Sequence, residues 1–181
     1  MMMSSCWASR FNNVNQRVTV RVMQKEKSIT VFHGDNTLTI KFPSRVEVIN
    51  HVEDETRGFL ERMGLSHEAF AVCLVMREGL TNAVKHGNRC DPAKNVTYTV
   101  KCSDNTLVIE IEDEGEGFDW RAIPEPEGDN INSDHGRGII IMKRYMNEHR
   151  YNDKGNKLIL IKHFSPDPKL SESEDEEKGN G

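Results

Sequence analysis

No run of about 18 apolar residues occurs anywhere in the 181-residue chain, so the sequence offers no bilayer-spanning helix. Its first ten residues, MMMSSCWASR, lack the uninterrupted apolar segment of a secretory signal. These two absences make the cytoplasm the expected compartment. Cysteine is also scarce. Cys6, Cys73, Cys90 and Cys102 form no CxxC pair and have no histidine at metal-ligand spacing, which argues against a zinc site or a disulfide framework. They are read as reduced thiols, with Cys73 packed inside a helix. No basic helix face is present and the central region is itself acidic, so nucleic acid is not an expected partner. Internal repeats are absent as well.

What the chain does contain suits one globular domain: 36% hydrophobic and 29% charged residues. The formal net charge of −5 is uneven. Residues 1–30 hold five basic groups against one acidic, and residues 165–181 hold six acidic against two basic. The tail SPDPKLSESEDEEKGNG is almost free of apolar residues and is expected to be disordered, a solvated segment rather than a partner site. The expected division is therefore an N-terminal extension over 1–36 with possible strands, a domain over 37–164, and an acidic tail over 165–181.

Alternating segments RVTVRV, SITVF and TLTIKF predict strands, with a turn at HGDN. Ser44 and Glu47 then form an S-x-x-E capping box ahead of a helix with apolar Val48, Val52, Phe59 and Met63, ended by Gly64. Ser66 is expected to cap a second helix, with a stripe of Ala69, Cys73, Met76, Leu80 and Val84 and a stop at Gly87. VTYTVKC and TLVIEIED, joined by SDN, read as an antiparallel hairpin. A loop over about 118–135 is long enough to be a lid or binding segment. A third helix over 138–148 and a hairpin around DKGN complete the order. The expected class is α+β: a two-layer sandwich, mixed but mostly antiparallel, with helices on one face.

Three local patterns carry chemistry. Glu78, Asn82 and His86 are four residues apart and share a helix face distinct from the apolar stripe. Asn offers an amide oxygen to Mg²⁺ and Glu can accept a proton, although a polar helix face wetted by solvent is the commoner meaning of such spacing. Asp113-Glu114-Gly115-Glu116-Gly117 directly follows a strand. Its glycines permit close backbone approach and its aspartate can accept a bond from an exocyclic amine, while an ordinary turn fits equally well. His135-Gly136-Arg137-Gly138 precedes the third helix, where free amides and the helix dipole favour phosphate, or where a surface arginine simply caps a loop.

In combination and in this order, these patterns resemble the GHKL (Bergerat-fold) ATPases. Within that superfamily REGLTNAVKHGN and HGRGIIIMKRYMNE are most similar to the anti-sigma-factor serine/threonine kinases of bacterial partner switching. The resemblance covers about residues 37–164. It implies ATP and Mg²⁺ as cofactors, with Asn82 on the metal, Glu78 as general base and Asp113 on the adenine amine. Gly115 and Gly117 would shape the loop beside Asp113, and Gly136, Arg137 and Gly138 would border the phosphates. His86 and Asn88 would touch the phosphates or the lid, His86 as one of the nucleotide-binding residues. It further implies a sigma factor and an anti-sigma-factor antagonist as partners, a serine acceptor on the antagonist, and a homodimer. Two features depart from the family pattern: the lid segment PEPEGDNINSD is rich in proline and acid, and the N-terminal extension is atypical. A nucleotide-gated binding module without transfer activity is the alternative. The catalytic portion of a histidine kinase is a third possibility; it needs a helical hairpin bearing a phosphoacceptor histidine, and His51 has no partner helix of that kind.

Overall fold

In four central strands, apolar residues at alternate positions are buried, and this alternation builds the molecule. The computed structural model describes residues 17–21, 28–122 and 134–164. Strand β3 (Thr37–Pro43) buries Leu38, Ile40 and Phe42, and β4 (Asn95–Ser103) buries Val96, Tyr98 and Val100. Strand β5 (Thr106–Asp113) buries Leu107, Ile109 and Ile111, and β7 (Lys157–His163) buries Leu158 and Leu160. Register aligns these side chains into rows across the sheet. Leu38, Val100, Ile109 and Leu160 make one row, and Ile40, Tyr98, Ile111 and Leu158 the next. The third runs Phe42, Val96, Asp113. A carboxylate thus stands where the pleat calls for an apolar residue.

The sheet has seven strands in the order β1-β2-β3-β4-β5-β7-β6, and every neighbouring pair is antiparallel. Strands β1 (Arg17–Arg21) and β2 (Ile29–His33) add to the β3 edge, with Ile29 and Val31 buried in the common core. Strand β6 (Glu148–Tyr151) closes the other edge. The α+β sandwich expected from the sequence is what forms, with three helices packed on the apolar face.

Helix α1 (Ile49–Arg62) buries Ile49, Val52, Thr56, Phe59 and Leu60, and Gly64, at φ +72°, ends it. The capping box expected at Ser44 and Glu47 does not form. Residues Val46–Val48 make a 3-10 turn capped by Arg45 without a side-chain bond, and the Ser44 hydroxyl instead accepts a bond from Asn88 Nδ2 at 2.6 Å. Ser66 likewise opens a 3-10 turn (Ser66–Glu68) rather than capping helix α2 (Ala69–Asn82), whose N-cap is Glu68. Helix α2 comes so near the sheet that a Cβ on Gly79 would meet Ile111 Cδ1 at 2.6 Å.

After Asn82 the helix widens into a π turn, Ala83–Gly87, with Asn88 N–H donating to Ala83 O. Helix α3 spans Asp134–Tyr145, four residues earlier than the expected start at 138, and Glu148 already belongs to β6. Of the expected lid over 118–135, a 3-10 turn at Trp120–Ala122 is described; residues 123–133 lie outside the described residues, as does the acidic tail. No helix among the described residues is long and apolar enough to cross a membrane.

Candidate nucleotide site

Asp113 ends β5 on the core-facing side, and two glycines make room for its carboxylate. A Cβ on Gly87 would collide with that carboxylate, and one on Gly115 would collide with Gly87 O. Gly115 N–H donates to Asp113 Oδ1 at 2.8 Å, and both carboxylate oxygens lie against Gly87. Burial pushes the Asp113 carboxyl above its ordinary range, because desolvation disfavours the charged form. The Gly115 N–H and the cations Lys154 and Lys94 pull in the opposite sense, and Glu112 adds to the rise.

A cavity of about 740 Å³ opens from this carboxylate between α2, α3 and the ends of β5, β6 and β7. Its floor is Gly79, Ala83, Ile111 and Leu158, and aromatic Phe118, Trp120 and Tyr151 form one wall. Arg89, Lys94, Arg121 and Arg150 bring positive charge to its lining. A cavity with an apolar floor, an aromatic wall and a buried carboxylate, opening onto several cations, suits a heteroaromatic ring carrying an anionic chain.

The wall is tied to the β6–β7 turn. Phe118 meets Tyr151 edge to face at 5.0 Å, and Trp120 Nε1 donates to Asn152 O at 3.0 Å. The Arg121 guanidinium lies 4.4 Å from the centre of the Trp120 ring and pairs with Asp153 at 2.8 Å. Gly117, at φ +79°, lets the loop pass against Lys154 O, which a Cβ would strike. Burial raises the Tyr151 hydroxyl above its usual range, with Glu78 and Asp113 adding to the rise. Tyr151 thus stands in the field of both carboxylates.

Of the residues singled out from sequence, Asn82, His86, Asp113, Gly117 and Gly138 line the cavity, and Gly115 fixes Asp113 from behind. Glu78 is half-buried and packs on Gly138, where a Cβ would approach its Oε1 to 2.7 Å; it is not one of the cavity-lining residues. The 78-to-82 spacing is α-helical, but the π turn intervenes before His86, which is exposed at the rim. Asn88 turns away from the cavity. Fully buried, it donates to Ser44 Oγ and to Asn95 O, so it splices the segment after the π turn to the strands. Gly136, Arg137 and Gly138 lie inside α3 rather than in a loop before it. Asp134 has taken over the start of the helix, which leaves the backbone N–H groups of Gly136 and Arg137 in its first turn.

Sequence reasoning missed Trp120, Tyr151, Asn152 and Asn156. The β6–β7 segment read only as a turn, and a turn pattern does not tell which cavity it faces.

A cavity between the helices and strand ends of a two-layer sandwich, with an inward aspartate and glycine-shaped loops, is joined by a family comparison. The chain belongs to the histidine kinase-like ATPase domain family, whose model matches residues 42–162. It is similar to "Serine-protein kinase RsbW" of Staphylococcus epidermidis, 26% identical over 137 residues that span 70% of this chain and 86% of the relative. It is also similar to "Anti-sigma F factor" of Clostridium perfringens, 24% identical over 141 residues, 71% of this chain and 96% of the relative. A third relative, "Serine-protein kinase RsbW" of Oceanobacillus iheyensis, is 21% identical over 148 residues.

Proposed function

We propose that this chain is an ATP-dependent protein serine kinase and anti-sigma factor that phosphorylates a serine of an anti-sigma-factor antagonist. The observation that carries the reading is the Asp113 carboxylate, core-facing, packed on Gly87 with one oxygen held by Gly115 N–H, in the lining of the cavity. A carboxylate placed there accepts from the exocyclic amine of adenine and repels the carbonyl that guanine carries at that position. The names of the relatives support the kinase and anti-sigma assignments. A cytoplasmic homodimer is the working state proposed for it.

Transfer requires the acceptor serine oxygen to bond to the γ-phosphorus as the bond to the β,γ-bridging oxygen breaks and ADP leaves. Glu78 takes the serine proton, and the first-turn N–H groups of α3 at Gly136 and Arg137 border the phosphates, with Gly138 giving Glu78 room. No group of three His, Cys, Asp or Glu side chains able to hold a metal occurs among the described residues. Asn82 lines the cavity, and its amide oxygen, a hard donor, would hold a Mg²⁺ accompanying the nucleotide, which would neutralise phosphate charge. Incubation with ATP and the cognate antagonist tests the reading. Serine phosphorylation by wild type that Glu78→Ala reduces at least about a hundredfold is expected; undiminished transfer by the variant removes Glu78 as the base.

A nucleotide-gated binding module is a second reading, favoured by the position of Glu78 against Gly138, outside the cavity lining. It prevails if ATP alters sigma-factor affinity while the antagonist never gains the mass of a phosphate.

A further inference from the structure

The turn between β6 and β7 carries two side-chain amides to which the nucleotide reading assigns nothing. Asn152 Oδ1 receives the backbone N–H groups of Gly155, Asn156 and Lys157 at 2.8, 3.0 and 3.2 Å. All three partners are donors, so the atom at their focus has to be the amide oxygen. The Asn152 nitrogen then points to Asn156 and donates to its Oδ1 at 2.9 Å. That leaves the nitrogen of Asn156 toward β5, where it donates to Asp113 O at 2.7 Å, while Asp113 N–H donates back to Asn156 O at 3.0 Å. Backbone donors thus fix the Asn152 amide, and the Asn152 nitrogen together with the Asp113 carbonyl fixes that of Asn156; flipping either one would set donor against donor.

Asn156 is 8% exposed and lines the cavity beside Asp113. Its nitrogen carries two hydrogens, and Asp113 O takes one. We infer that Asn156 is a second base-reading residue: its other N–H donates to ring nitrogen N1 of adenine while Asp113 accepts from the neighbouring exocyclic amine. Resting on the nucleotide site proposed above, this adds a donor to the single acceptor that Asp113 supplies. Guanine presents the reverse pattern, a carbonyl toward Asp113 and an N1–H toward Asn156, so both positions reject it. Asn152 touches no base; it is a positioning residue that holds the Asn156 nitrogen on the correct side.

Titration of the full chain with ATP, and with an analogue bearing C–H in place of N1, tests the inference. Wild type is expected to bind the analogue about fivefold to tenfold more weakly than ATP, the range of one neutral hydrogen bond. Asn156→Leu is expected to bind ATP weaker by a similar factor and to lose nothing more with the analogue, a non-additivity that a purely structural role would not produce. Wild type binding both ligands equally overturns the inference and leaves the ATP site standing, and this comparison decides the matter even if Asn156→Leu does not fold. Variant and analogue losses that multiply also overturn it. Wild type that binds neither ligand overturns the nucleotide site and the inference together.

Discussion

A carboxylate held on the core-facing side of a strand is costly to ionise, and at Asp113 that cost is set against recognition. Its raised pKa means the folded chain holds this proton more tightly than the unfolded chain does. The stabilising contribution of the protonated form is present below the ordinary carboxylate range and is lost as pH rises through the folded value. Asp113→Asn keeps an oxygen for Gly115 N–H and removes the ionisation. Its melting temperature at neutral pH is therefore expected to equal or exceed that of wild type, with a flatter dependence across the acidic range, measured by thermal melts against pH. Cysteine chemistry divides by burial in the same way. The buried Cys73 thiol is pushed up to about 11, chiefly by desolvation, whereas Cys90 is exposed. Brief alkylation at neutral pH is expected to label Cys90 and spare Cys73, read by peptide mass. Asp113 was legible in the sequence because period-two alternation through Leu107, Ile109 and Ile111 carries it inward. Asn156 was not, since its role comes from a bond across to β5, 43 residues away.

Elements show why the helix ends were harder to read than the strands. Ser44 and Ser66 both satisfy local capping patterns, yet tertiary demand took the Ser44 hydroxyl for Asn88 and a 3-10 turn absorbed Ser66. The π turn at Ala83–Gly87 has no side-chain signature, so His86 was placed by α-helical spacing that stops at Asn82. The strands and their hairpins followed more directly from turns and alternation, whereas the pairing of β3 with β4 and of β5 with β7, across intervening helices, has no local signal. Two glycines separate conformational need from mere presence. Gly117→Ala is expected to cost about 1–3 kcal/mol, because φ is +79° and a Cβ would strike Lys154 O, and to weaken ATP binding by unseating the β6–β7 turn. Gly58→Ala, inside α1 with nothing within 4 Å of its Cβ, is expected to stabilise by about 0.5–1 kcal/mol. Urea titrations of the two variants would show opposite shifts in midpoint.

At the scale of the whole molecule, strand β2 shares the domain's core although the family match begins only at residue 42. Removing residues 1–36 takes Ile29 and Val31 out of the core and bares the β3 edge. The truncated chain is expected to lose up to about 3–6 kcal/mol from those two side chains while keeping its nucleotide affinity, since among the described residues none that lines the cavity precedes Gly79. Melting and ATP titration of the fragment check the two halves of that statement separately. The most direct test of the nucleotide site itself is calorimetric titration of the full chain with ATP and Mg²⁺, for wild type beside Asp113→Asn. Wild type is expected to bind one ATP per chain, and folded Asp113→Asn to bind about tenfold to a hundredfold more weakly, the range of a hydrogen bond to a charged acceptor. Equal affinity in the two proteins, or no binding by wild type, would contradict it.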